Sequence, residues 1–134
     1  MVDGNTGNII EETSHTALGA IRIANEVVAV IAGLAATEIG GVAGMSGGVA
    51  GGIAEMLGRR NLARGVKVEV GEREAAIDLF VIVEFGVRIP DVALRVQESV
   101  KQAIESMTGL AVIEVNVHVQ GVSFTDGQEE QRVR

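Results

Sequence analysis

Few residues of this chain have the types and spacing that catalysis or metal binding needs. Asp78 and Glu84 fall on one face of a predicted strand but lie six residues apart, roughly 20 Å, too far to act on one substrate atom. Neither His15 nor His118 has a second ligand two or four residues away. No histidine is placed by sequence to activate Ser46. The sequence therefore predicts no catalytic residue, no metal site, no cofactor and no small-molecule substrate.

The most unusual segment spans residues 40–52, which hold seven glycines and no charge. It lacks both the Gly-x-Gly-x-x-Gly pattern and the lysine of a phosphate-binding loop. Because glycine is costly in regular structure, either tight internal packing or a bound partner must offset that cost. We therefore weigh a packed or flexible connector against a partner-docking surface. The candidate docking residues are Gly41, Val42, Gly44, Met45, Gly48, Val49, Ile53, Arg59 and Arg60.

Composition narrows the classes of partner. The net charge of −7 opposes binding to a phosphate backbone, and a 2% aromatic content leaves few platforms for stacking bases. Nucleic-acid binding is thus the disfavoured alternative, supported only by the basic residues that follow Gly58. The absence of cysteine fits a reducing cytoplasm. Glu38 and Glu55, with many glycines, make the apolar region 27–57 a poor membrane span.

Hydrophobic periodicity predicts the elements that position these residues. Residues 20–24 alternate as a short strand, and Asn25 is the predicted N-cap of a helix that stops at the first glycine pair. Strands with a period of two follow at 66–70, 76–85 and 113–120, and a helix with Pro90 in its first turn runs to Gly109. A second, short helix is predicted around Ile53.

The order β-α-(α)-β-β-α-β predicts an α+β fold, a two-layer sandwich with a small mixed or antiparallel sheet and helices on one face. A ferredoxin-like arrangement fits that order. Residues 1–17 are predicted as a mobile arm, 18–125 as a single domain and 126–134 as a polar tail.

Several stretches resemble the alkaline-shock, or general-stress, protein family of Gram-positive bacteria. They include Gly41-Val-Ala-Gly-Met-Ser-Gly-Gly, Gly65-Val-Lys-Val-Glu-Val, Ile77-Asp-Leu-Phe-Val-Ile-Val-Glu-Phe-Gly and Val115-Asn-Val-His-Val-Gln-Gly-Val. The resemblance implies a non-enzymatic cytoplasmic protein for envelope stress, which self-associates and lies at the inner face of the membrane through a membrane-anchored partner. The family carries no catalytic residues to transfer.

Overall fold

The structure is a computed structural model that describes residues 11–47 and 63–124. These residues form six strands and two helices. In chain order they are β1 (Glu11–Thr16), β2 (Gly19–Ala24), α1 (Asn25–Thr37), β3 (Val42–Met45), β4 (Val66–Val70), β5 (Glu74–Glu84), α2 (Ile89–Thr108) and β6 (Ala111–Ser123).

The main sheet is built around β5. Strand β6 runs parallel to β5 along its whole length. On the opposite edge, two short antiparallel strands lie end to end: β4 pairs with residues 75–79 and β3 with residues 81–83. The sheet is therefore mixed, and β5 has a partner on each side, as its nearly continuous apolar sequence predicts.

The core lies between this sheet and the two helices. Alternate residues of β5 are buried in one cluster with residues of α1 and α2, while the intervening ones are half-buried on the other face. Helix α2 contributes a stripe at helical spacing, and α1 contributes small residues that let it pack closely on α2. The residues that α2 buries are Val92, Val96, Val100 and Ile104. The predicted α+β class is thus confirmed, and the full ferredoxin-like strand order stays a prediction.

The boundaries of α2 follow its local sequence. Pro90 lies in the first turn, where its missing N–H costs nothing, and Gly109 ends the helix with a left-handed φ of 82°. At α1 the expected cap differs, because Ala24 occupies the N-cap position without a side-chain hydrogen bond. Asn25 instead donates from Nδ2 to the carbonyl of Val68 at 3.1 Å and so ties the helix to β4.

Two strands fall where the sequence predicts none. Strand β1 lies within the predicted arm at 1–17 and pairs with β2 as an antiparallel hairpin. The residues of β1 are all polar and show no apolar alternation, so the sequence gives no sign of a strand there. Strand β3 lies within the glycine-rich segment, where Val42 is its one buried side chain. The predicted helix around Ile53, the predicted tail at 126–134 and residues 1–10 of the predicted arm lie outside the described residues.

Candidate functional site

The structure describes four of the nine candidate docking residues, all in or next to β3. They are Gly41, Val42, Gly44 and Met45. The other five, Gly48, Val49, Ile53, Arg59 and Arg60, lie outside the described residues. Whether the nine form one docking surface stays a prediction.

Two of the four described residues belong to internal packing. Gly41 has a left-handed φ of 104°, and a Cβ added there would lie 2.8 Å from a methyl group of Val92 on α2. Val42 is only 8% exposed and is part of the core. Gly41 therefore allows the close approach of the chain to α2, and Val42 fills the core, which leaves little of the Val42 side chain for a partner.

The next two residues are more accessible. A Cβ added to Gly44 would meet nothing within 4 Å among the described residues, and Met45 is partly buried against the core. Gly44 also lies at an irregularity in the pairing of β3 with β5. This stretch is where a second chain could approach the backbone without displacing a side chain.

Beyond Met45 the backbone meets the start of β4. The N–H of Ser46 donates to the carbonyl of Phe80 at 2.7 Å, and the N–H of Phe80 donates to the carbonyl of Gly65 at 2.8 Å. A Cβ added to Gly47 would lie 3.4 Å from the backbone nitrogen of Gly65. Two strands can share one edge of β5 here because both bordering residues are glycines.

The open face of the sheet carries a polar cluster that the sequence analysis did not assemble. Asp78 lies opposite Asn116 in the pairing of β5 with β6. Its Oδ1 accepts from Asn116 Nδ2 at 3.0 Å and lies 3.2 Å from His118 Nε2. All three occupy outward positions of their strands, but only the register, which a sequence alone does not give, brings them together.

Aromatic and basic side chains border this cluster. The rings of Phe80 and His118 stack with centroids 4.5 Å apart and an interplanar angle of 12°. Lys67 on β4 places its Nζ 5.8 Å from the centroid of Phe80. Two neighbouring rows on this face therefore present a cation and a carboxylate in one row and two flat rings in the next.

The run from Gly44 to Gly48 has the Gly-x-Ser-x-Gly spacing of a nucleophilic serine, which the sequence analysis overlooked. With Asp78 and His118 it supplies the residue types of a catalytic triad. The geometry differs from a triad, because Ser46 Oγ donates to Gln120 Oε1 at 3.0 Å while His118 faces Asp78 and stacks on Phe80. Ser46 and His118 also approach β5 from opposite edges. We assign neither a catalytic role.

The hydrogen bonds from His118 and Asn116 hold the pKa of the Asp78 carboxyl below its ordinary value of 3.8. We expect the pKa of Asp78 to rise toward 3.8 in a His118→Ala variant, because the hydrogen bond that lowers this pKa most is removed. An NMR titration of the Asp78 carboxyl carbon measures this. Glu105, whose pKa is lowered by Lys101 on α2, is the internal control and should not move. An unchanged pKa of Asp78 would show that the bond does not form in solution.

The lowered pKa also fixes the sign of a pH effect on stability. The Asp78 contribution is fully present above pH 3.8 and is lost as the pH falls through the lowered value. Because the Asp78 side chain is 38% exposed, this contribution stays below about 1 kcal/mol. The cluster therefore does little for the stability of the fold at neutral pH.

The described part of the chain holds neither a metal-binding cluster nor a membrane-spanning helix. No group of three or more His, Asp or Glu residues there could hold a metal ion. Neither α1 nor α2 is long and apolar enough to cross a membrane.

Comparisons with known proteins give the chain its context. Residues 13–124 match the model of the alkaline shock protein family, which is described as having a cell envelope-related function. The chain is 43% identical to the protein YqhY of Bacillus subtilis over 98% of this chain and 96% of that protein. It is 41% identical to YloU of the same organism over 84% of this chain and 95% of that protein. A stress response regulator gls24 homolog of Streptococcus pyogenes is 32% identical over 96% of this chain and 74% of its own length. No solved structure matches the chain.

Proposed function

Because the chain belongs to the alkaline shock protein family, we propose that it is a non-enzymatic stress-response protein that self-associates into a scaffold at the inner face of the membrane. The resemblance found in the sequence is thereby confirmed: the family is described as cell envelope-related, and a relative is named a stress response regulator. The match over residues 13–124 carries the proposal, since it spans every element except the first residues of β1. Self-association and a membrane-anchored partner are the parts that experiment must test.

The scaffold needs surfaces through which copies or an anchor can bind. We assign one of them to the glycine-rich segment, where Gly44 is open and Met45 offers a flexible apolar side chain. The remaining candidates, from Gly48 to Arg60, would extend this surface. Glycines there let two backbones approach closely, and apolar side chains supply burial.

A Gly44→Val variant tests this assignment. We expect its dissociation constant for self-association or for the anchor to rise about tenfold, because the added side chain holds the two backbones apart. The thermal midpoint should change by less than about 4 °C, since the added Cβ meets nothing within 4 Å among the described residues. Sedimentation velocity over a concentration series measures the first quantity and calorimetry the second.

Gly71→Val is the matched control, because Gly71 lies in the turn between β4 and β5 and its φ is not left-handed. Equal dissociation constants for the Gly44 and Gly71 variants would show that the interface does not include the glycine-rich segment at Gly44. A wild-type chain that stays monomeric at high micromolar concentration would overturn self-association itself.

Binding to the membrane through a protein anchor has its own test. Purified chain should cosediment with inverted vesicles from the native membrane. It should not cosediment with vesicles made from the extracted lipids, because a chain with a net charge of −7 is repelled by anionic lipid. Protease treatment of the inverted vesicles should abolish binding. Binding to the pure lipid vesicles would replace the anchor with direct lipid contact.

Nucleic-acid binding stays the alternative, and one observation favours it. Phe80 and His118 form a flat stack beside Lys67 on an open sheet face, as stacking platforms for single-stranded RNA do. Asp78 and Glu84 on the same face, together with the net charge, oppose it. Titration with single-stranded RNA at low salt tests this alternative. Binding by the wild-type chain that is lost in a Phe80→Ala variant would favour it.

A further inference from the structure

The outer edge of β6, the side that faces away from β5, is covered in its first part only. Gln97 on α2 donates from Nε2 to the carbonyl of Val115 at 2.9 Å, and Glu105 Oε2 accepts from the N–H of Val112 at 2.9 Å. Because successive residues of a strand alternate in direction, Val117 and Val119 present their backbone groups to the same outer side as Val115. Within the described ranges no strand or side chain bonds to this part of the edge.

The second part of this edge lacks the charged residues and prolines that keep many sheet edges apart. Residues 115–124 include no Asp, Glu, Lys, Arg or Pro, in a chain that has 18 acidic and 11 basic residues. Natural edge strands usually carry such residues because they prevent pairing with another chain. A second copy with a net charge of −7 can therefore approach this strand without setting carboxylates against each other.

Exposed apolar side chains lie at both ends of the same strand. Ile113, in a bulge near the start, is 61% exposed. Just past the other end, Phe124 is 49% exposed and stacks on Phe85, which is 68% exposed. Antiparallel pairing of two copies would bring Ile113 of one copy beside Phe124 of the other, whereas parallel pairing would leave the two ends apart.

We propose that β6 pairs with β6 of a second copy, antiparallel across a two-fold axis at His118, so that Val117 of one copy lies opposite Val119 of the other. This inference rests on the proposed self-association and names the interface between copies. The two main sheets would join into one, and only the neutral residues Asn116, His118 and Gln120 of each copy would line the junction on the open face. The backbone groups of Val117 and Val119 would supply the ladder of hydrogen bonds.

The position of this interface complements the glycine-rich segment. Strands β3 and β6 lie on opposite edges of β5, so the two surfaces point in opposite directions. A two-fold contact through β6 alone closes at a dimer, whereas a second contact at the far edge lets dimers extend into a larger assembly.

Hydrogen exchange of the Val117 and Val119 amides tests the interface directly. We expect both amides to exchange at least about tenfold more slowly when the concentration rises from monomer to dimer, since each gains a hydrogen-bond partner. Unchanged rates in a chain that sedimentation shows to associate would overturn the β6 interface and leave the proposed function standing. Slow exchange in the dilute monomer would mean that the chain covers this edge itself, which also overturns the inference. A chain that never associates would overturn both.

A charge variant gives an independent measurement. Gln120→Glu is nearly isosteric, and its carboxylate can still accept from Ser46, so the fold should be kept. We expect its dissociation constant to rise about two- to threefold, because each copy would carry an added carboxylate on the pairing strand, two residues from the axis. Gln102→Glu, at an exposed position of α2, adds the same charge elsewhere and is the control. Equal weakening of self-association by the Gln120 and Gln102 variants would mean that only the net charge matters. That result would contradict the β6 interface.

Discussion

A Gly65→Ala variant is expected to lose at least about 3 kcal/mol of unfolding free energy, from the addition of one methyl group. Gly65 has a left-handed φ of 76°, which alanine adopts only at a cost. The added Cβ would lie 2.5 Å from the carbonyl oxygen of Ser46 and 3.0 Å from that of Phe80. Both oxygens belong to the backbone, so neither can turn aside as a side chain would. Relief of the clash would disturb the hydrogen bonds that hold β3 and β4 on β5.

Gly86→Ala is the matched control for this prediction. Gly86 has a left-handed φ of 98°, but a Cβ there would meet nothing within 4 Å among the described residues. Its alanine variant should lose only the conformational cost, about 1–2 kcal/mol. Urea unfolding of both variants measures the two losses of unfolding free energy. Their difference gives the cost of the clash where β3 and β4 approach each other. Equal losses would mean that the two strands do not meet at Gly65 in solution.

The sequence correctly predicts those elements whose hydrophobic period matches the face that they bury in the core. Strands β4 and β5 and helix α2 each bury one regular face against the same core, so their periods of two and 3.6 are visible without a structure. The glycine at 109 and the proline at 90 then place the ends of α2 within about two residues. For these elements the local and the global preferences are the same.

The remaining features depend on contacts distant in sequence. Strand β3 has one core side chain, Val42, and its strand character comes from pairing with residues 81–83 of β5. A bulge places Ile113 on the surface, although alternation predicts that it faces the core with Val115 and Val117. Asp78, Asn116 and His118 meet only through the register of β5 and β6. Periodicity carries no information about register, so none of these could be read from the residues alone.

The glycine-rich segment combines two kinds of glycine that its composition does not separate. Gly41 and Gly47 have left-handed φ values and close neighbours, so the fold requires them. Gly44 has neither a left-handed φ nor a neighbour within 4 Å among the described residues. Gly40 shares both properties, but only Gly44 lies within β3, and this is why the binding test uses Gly44.

A Leu79→Ala variant is expected to lose about 4–5 kcal/mol of unfolding free energy, near the top of the range for such changes in a core. Leu79 is fully buried at the centre of β5, between Val66 on β4 and Val117 on β6. The cost depends on how far the neighbours can move into the cavity. Here they are mostly β-branched, with stiff side chains, and no aromatic residue belongs to the core cluster. The cavity should therefore stay open.

Leu94→Ala is the same chemical change at a surface position of α2, where the leucine is 53% exposed. It should cost less than about 0.5 kcal/mol, because little burial is lost and alanine favours the helix. Urea unfolding at one temperature gives both values from the shift in midpoint at constant slope. A loss below about 2 kcal/mol for Leu79→Ala would mean that the core relaxes around β5. That result would contradict the rigid frame on which both proposed interfaces depend, since β5 is the strand that holds β3 on one edge and β6 on the other.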